Sequence, residues 1–147
     1  MKRFLFIVLL GAFFINAKAQ HITDFCYVNG FDLETYSDNQ IVSNLKNRGF
    51  KVIKKQPVSE YGGGEFLITV TEYTLKKGGT IVYVGDGPRQ INFANASAAR
   101  SFATQACNIG WFYNSERNNY NPSYQVGLGV DGFKLSGKTL TFFLSVP

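Results

Sequence analysis

Glu65-Phe-Leu-Ile-Thr-Val-Thr-Glu-Tyr-Thr-Leu75, then Lys76-Lys77-Gly78-Gly79, then Thr80-Ile-Val-Tyr-Val84, is the stretch that decides the fold. Both apolar runs are rich in β-branched and aromatic residues, which suit a pleated, half-buried surface, and the paired glycines supply the turn between them. The stretch therefore predicts an antiparallel hairpin. Side chains alternate along a strand, so Phe66, Ile68 and Val70 share one face and Leu67, Thr69, Thr71 and Tyr73 the other. The first set is expected to face the core. The second is mixed enough to be partly covered or to serve as a binding surface.

Working outward, each half of the chain opens with a helix signal. Ser37-Asp38-Asn39-Gln40 matches a capping box, and Ile41, Val42 and Leu45 form one apolar stripe behind it. Gly49 follows, where a left-handed terminator is wanted. Asn95 or Ser97 caps a second helix over about 96–108, with Ala99, Phe102, Ala103 and Ala106 as its apolar face and Gly110 as its end. A shift of about 61 positions superposes Gly49-Phe50 on Gly110-Trp111. After the first helix, Phe50–Lys55 reads as a strand and Gln56–Gly64 as a loop leading to the hairpin. Past the hairpin, Gly85-Asp86-Gly87-Pro88-Arg89 reads as a tight connection. After the second helix, Trp111–Asn114 is a strand, Ser115–Ser123 a polar loop, and Tyr124–Phe133 a long strand. The last strand, Lys138–Val146, turns Leu140, Phe142, Leu144 and Val146 inward. Asp24–Val28 adds a short strand ahead of the first unit.

The pattern predicts an α+β domain over 20–147, built as a helix plus a three-strand antiparallel meander used twice (αβββ-αβββ). The pseudo-repeats cover about 37–84 and 96–146. One helix covers each meander, with both helices packed on one face of the sheet or sheets. A shared axis would place Gln56–Gly64 and the second polar loop at the same end of the molecule, with Tyr61 facing Tyr120.

Residues 1–19 read as a signal peptide. Lys2 and Arg3 form a basic start, Phe4–Ile15 an apolar core, and Ala17-Lys18-Ala19 a small-x-small cleavage pattern before Gln20. About 12 apolar residues fall short of the ~20 that span a bilayer, so no transmembrane anchor is expected after cleavage. The localisation expected is exported, periplasmic or extracellular. Lys2, Arg3 and Lys18 leave with the leader, so the net charge falls from +5 to +2. That small, scattered surplus gives no argument for nucleic acid. Export also permits a disulfide between Cys26 and Cys107, which would close a long loop and stabilise by about 4 kcal/mol in the chain-entropy model.

Chemistry is sparse. The single histidine, His21, sits at the mature terminus and is expected to be solvated and mobile, which leaves no catalytic triad and no histidine metal site. No metal site and no cofactor are expected. Glu65, Glu72, Asp86, Glu116 and Asp131 are the carboxylates available for acid–base work, with Glu72 and Asp131 matched in position. Val84–Arg89 has the look of a phosphate cradle but lacks the Lys-Ser/Thr and the following helix. The distinctive segment is Tyr113–Tyr124. Its Tyr113, Asn114, Arg117, Tyr120 and Tyr124, with Tyr61, combine rigid rings and adaptable hydrogen bonds in the manner of recognition surfaces. The expected function is an exported, non-catalytic binding or interaction domain that recognises a protein or glycan through loop surfaces. The alternatives are a secreted inhibitor or antagonist of another protein and, behind it, a carboxylate-dependent hydrolase.

Overall fold

The computed structural model describes residues 19–61, 67–126 and 129–145. The leader read from the sequence lies almost wholly outside them. The chain is an α+β fold of two helices, an eight-stranded antiparallel sheet and a small three-stranded sheet. A 3-10 turn at Ile22–Asp24 leads into β1 (Cys26–Asn29) and β2 (Asp32–Thr35), then α1 (Asp38–Asn47). β3 (Lys51–Tyr61), β4 (Leu67–Lys77), β5 (Thr80–Val84) and β6 (Pro88–Asn92) follow. Next come α2 (Ala96–Cys107), β7 (Trp111–Asn114), β8 (Asn119–Pro122), β9 (Gln125–Val126), β10 (Val130–Ser136) and β11 (Thr139–Leu144). No helix among the described residues is long and apolar enough to cross a membrane.

Both helices form where capping and periodicity place them. Ser37 Oγ accepts the Gln40 amide at 3.3 Å, and Asn95 Oδ1 accepts the Ala98 amide at 2.8 Å. Gly49 and Gly110, with φ of 97° and 104°, end them in the left-handed region. Ile41, Val42 and Leu45, like Ala99, Phe102, Ala103 and Ala106, are buried. Lys77 Nζ also donates to the Arg48 carbonyl at the end of α1, fixing that end to β4.

The main sheet runs β3-β4-β5-β6-β11-β10-β8-β7. Each half contributes a helix and then four sheet strands, not three. The extra strand of the first half is Pro88–Asn92, which begins inside the expected connection Gly85–Arg89; that of the second is Asn119–Pro122, expected as loop. Both are short and polar, and each pairs with its neighbour in sequence on one side and a strand far along the chain on the other. The expected long strand Tyr124–Phe133 is divided: Gln125–Val126 pairs in parallel with β2 in the small sheet, and Val130 begins β10.

One face of the sheet holds the core. Leu75, Val82, Ile91 and Leu140 are successive cross-strand partners, all fully buried. The neighbouring row, Thr74–Tyr83–Gln90–Thr141–Lys134, points to the other, polar face. Such alternation is what a two-layer antiparallel sheet requires. The buried side chains of both helices join the same apolar cluster as the first row. Phe102 of α2 reaches Phe25, Phe93 and Phe133 with ring centroids 5.5–6.3 Å apart.

This parity reverses the expected faces of the organising strand. Leu75 sets the inward side, so Leu67, Thr69, Thr71 and Tyr73 share the core-side face. Ile68 and Val70 point away, and Phe66 lies outside the described residues. The distal half of β4 also lacks a core to face. β5 pairs with β4 only over Tyr73–Lys77, so residues 67–72 pair with β3 alone, as a two-stranded ribbon beyond the sheet. Gln56–Tyr61, expected as loop, is the other strand of that ribbon. Pro57 is tolerated because β3 is an edge strand.

The two cysteines are free. Cys26 is 3% exposed and its thiol meets the Ile22 carbonyl, while Cys107 is exposed at the end of α2. The expected bridge is therefore absent: one thiol is sealed in the core and the other faces solvent.

Candidate functional site

The ribbon borders a groove beside the start of α1. Where β3 and β4 run past the first turn of α1, the core-side face of β4 continues with no helix above it. Thr69, Thr71 and Tyr73 form the floor of a groove of about 730 Å³. Ser37, Asp38 and Asn39 at the start of α1 form one wall with Asp86 and Gly87. Thr35, Tyr36, Val70, Gly129, Leu144 and Ser145 complete it.

Local chemistry holds these walls in place. Asp38 accepts the amides of Asp86 and Gly87, one on each carboxylate oxygen, at 2.9 and 2.8 Å. Asp86 has φ of 52° and Gly87 φ of 97°, a turn that points consecutive amides at one spot. The turn that resembled a phosphate cradle is therefore filled by the protein's own carboxylate. Thr35 Oγ1 accepts the Val130 amide at 3.0 Å, and Gly129 packs so closely that a Cβ there would lie 2.3 Å from Thr35 Oγ1. The Tyr73 hydroxyl donates to Asn39 Oδ1 at 3.4 Å, and Lys55 Nζ lies 5.4 Å from the Tyr73 ring centre. Tyr36 packs on Tyr27 with ring centroids 4.6 Å apart.

The residues singled out from sequence occupy a different place. Tyr113 on β7 and Tyr120 on β8 are cross-strand partners, and Tyr120 in turn opposes Phe133. The Tyr120 ring stacks on Phe133 at 4.8 Å and 13°. Burial, with smaller contributions from Cys107 and Tyr113, raises the Tyr120 hydroxyl above the usual tyrosine range. Tyr113 is half-exposed and donates to Asn118 Oδ1 at 2.6 Å. Asn114 Oδ1 accepts the amides of Glu116 and Arg117, both at 3.1 Å, closing a tight turn on which Arg117 is exposed. Tyr124 donates to the Ile109 carbonyl at 3.3 Å. The segment is thus a short hairpin whose tyrosines lie back on the sheet.

Tyr61 does not join them. It ends β3, one edge of the sheet, while Tyr113 lies on β7, the other edge. Every neighbouring pair is antiparallel, including the central β6–β11 pair. Following that alternation from β3 to β7 places Tyr61 and the 115–118 turn at opposite ends of the sheet. The expected shared surface is not formed. Glu72 and Asp131 are likewise kept apart by three intervening strands. Of the candidate carboxylates only Asp86 lines the groove, and Glu65 lies outside the described residues.

His21 is partly buried and held by hydrogen bonds at the start of the 3-10 turn. Its ring Nδ1 accepts the Thr23 amide at 3.2 Å and its own amide donates to Asp24 Oδ2 at 2.8 Å, capping the 3-10 turn. Burial lowers its pKa, against the pull of Asp24 and with that of Arg48.

Sequence reasoning missed Tyr36, Asp38 and Asn39 as groove residues, because the helix cap accounted for that segment. The one available signal was the mixed face Leu67–Thr69–Thr71–Tyr73. No family model, no curated protein and no solved structure matches this chain.

Proposed function

We propose that the chain is an exported, non-catalytic binding domain that recognises its partner in the groove between α1 and the β3–β4 ribbon. The observation that carries this reading is the ribbon itself. Residues 67–72 of β4 leave the sheet and present the Thr69 and Thr71 hydroxyls, beside the Tyr73 ring at the sheet's margin, on a face with no core to serve. Neither histidine nor cysteine lines the groove, so the Ser37 and Ser145 hydroxyls there have no imidazole beside them to activate them as acyl-transfer nucleophiles. Tyrosine with hydroxyl and amide neighbours is a recognition chemistry. The turn at 115–118, with Tyr113, Asn114 and Arg117, is the second surface available to the same reading.

A photoreactive side chain at position 71, compared with one at position 141 on the polar sheet face, tests this in the producing cell. An adduct of discrete mass at 71 and none at 141 is expected. Adducts at neither position, or at both alike, overturn the reading. N-terminal sequencing of protein recovered outside the cytoplasm tests export, with Gln20 expected first.

The antagonist reading has one observation in its favour. Phe31 is 87% exposed on the Gly30-Phe31 turn of the β1–β2 hairpin, where Gly30 has φ of 64°. A rigid two-residue turn presenting an aromatic ring is a preorganised anchor for a partner's pocket. A tight complex with one secreted protein, weakened about tenfold or more by Phe31→Ala, would favour it; an unchanged complex would remove it.

A further inference from the structure

We infer that the groove takes a short neutral oligosaccharide, a ligand class that rests on the groove being the recognition surface. Some of its polar groups are already engaged. Thr35 Oγ1 holds the Val130 amide, Ser37 Oγ the Gln40 amide, and Ser145 Oγ both bonding groups of Gly129. Both oxygens of Asp38 hold backbone amides.

The remainder makes no hydrogen bond to another described residue. It comprises the Tyr36, Thr69 and Thr71 hydroxyls, the Asn39 amide nitrogen and the Asp86 carboxylate. These mix donors with acceptors, and Thr69 and Thr71 stand about 7 Å apart along one face of a strand. A polyol matches such a row, since each hydroxyl both donates and accepts. Tyr36 and Tyr73 add flat apolar surface on which the C–H face of a sugar ring can lie.

Two features narrow the class. First, no lysine or arginine is among the lining residues. Lys55, with Nζ 5.4 Å from the Tyr73 ring centre, is a cation beside the floor, but the groove has no arginine to hold a phosphate, sulfate or uronic acid in the bidentate way. Second, the Thr69 and Thr71 side chains rise from the sheet face, so a ligand lying on the floor meets hydroxyls, whereas an extended peptide would add at the outer edge of residues 67–72, which no other strand covers. The volume, about 730 Å³, falls within the range of small-ligand pockets, roughly 300–1,000 Å³.

The test is a titration of isotope-labelled protein, followed by amide chemical shifts, with cellotriose, maltotriose, mannotriose and chitotriose in turn, each to millimolar concentration. An alanine hexapeptide serves as the peptide arm. At least one trisaccharide is expected to move the amides of Asn39, Thr69, Thr71, Asp86 and Gly87. Thr71→Val, which keeps shape and strand preference, should weaken that binding about tenfold. Thr141→Val on the opposite face should leave it unchanged. No response to any of the four sugars overturns the saccharide assignment, as does a response indifferent to Thr71→Val. If the hexapeptide alone moves these amides, the ligand class is wrong while the groove stands as the recognition surface. Silence toward every probe, with no adduct at position 71, removes both.

Discussion

Asp38 and Gly87, 49 positions apart in sequence, meet through a 2.8 Å hydrogen bond from the Gly87 amide to Asp38 Oδ1. The same carboxylate takes the Asp86 amide. The first residue of α1 thereby ties the helix to the β5–β6 turn and sets one wall of the groove. Hydrogen bonds to a charged acceptor are the stronger kind. Asp38→Ala is expected to cost about 1–3 kcal/mol, read as a lower urea midpoint at unchanged m. Asp38→Asn retains one acceptor oxygen and should lose about half as much.

The thiols differ in access and in acidity. Burial pushes the Cys26 thiol up to about 12, so it is protonated as well as sealed. Without reductant, an alkylating reagent at pH 8 should modify Cys107 alone. In denaturant both cysteines should react, with no prior reduction needed. No reactive thiol in either condition would contradict the free cysteines seen here.

Phe133 is the hub of the aromatic packing. It contacts Phe102, Trp111, Tyr120 and Phe142, with ring centroids 4.8–6.3 Å away, and is fully buried. Phe133→Ala should destabilise by about 3–5 kcal/mol. Tyr113→Ala, at the exposed rim of the same ladder, should cost below about 1 kcal/mol. Paired unfolding curves would show whether the ladder's energy resides at its buried end.

His21 supplies a pH dependence whose sign follows from its burial. Burial holds its folded pKa below the ordinary histidine value of about 6.5, so the native state disfavours its protonation. The stability it contributes is complete above 6.5 and is lost as pH falls through the folded pKa. Melting temperature should therefore decline below pH 6.5, and more steeply for the parent than for His21→Asn. Equal slopes would place the acid sensitivity elsewhere.

The elements that sequence alone made legible share a short range. Ser37 and Asn95 act on amides three residues on, and Gly49 and Gly110 relieve strain at their own positions. The stripes Ile41–Val42–Leu45 and Ala99–Phe102–Ala103–Ala106 follow from the helical period. The inward alternation of Leu140 and Phe142 was equally readable, because the last strand crosses the core along most of its length. The candidate site was legible only as the mixed face of Thr69, Thr71 and Tyr73.

By itself, then, the sequence determined two capped helices, their buried stripes, the glycine stops, the hairpin around Gly78-Gly79 and the α+β class. Each of these is decided within a few residues along the chain. Tertiary structure alone decided which face of β4 is inward, since a period of two leaves the choice to distant members of the buried row such as Leu140. It decided the recruitment of Pro88–Asn92 and Asn119–Pro122 as strands, each held between a neighbour in sequence, β5 or β7, and a distant strand, β11 or β10. It separated Cys26 from Cys107, and Tyr61 from Tyr120. The antiparallel β6–β11 seam accounts for the last of these, because it turns one half of the sheet end over end relative to the other.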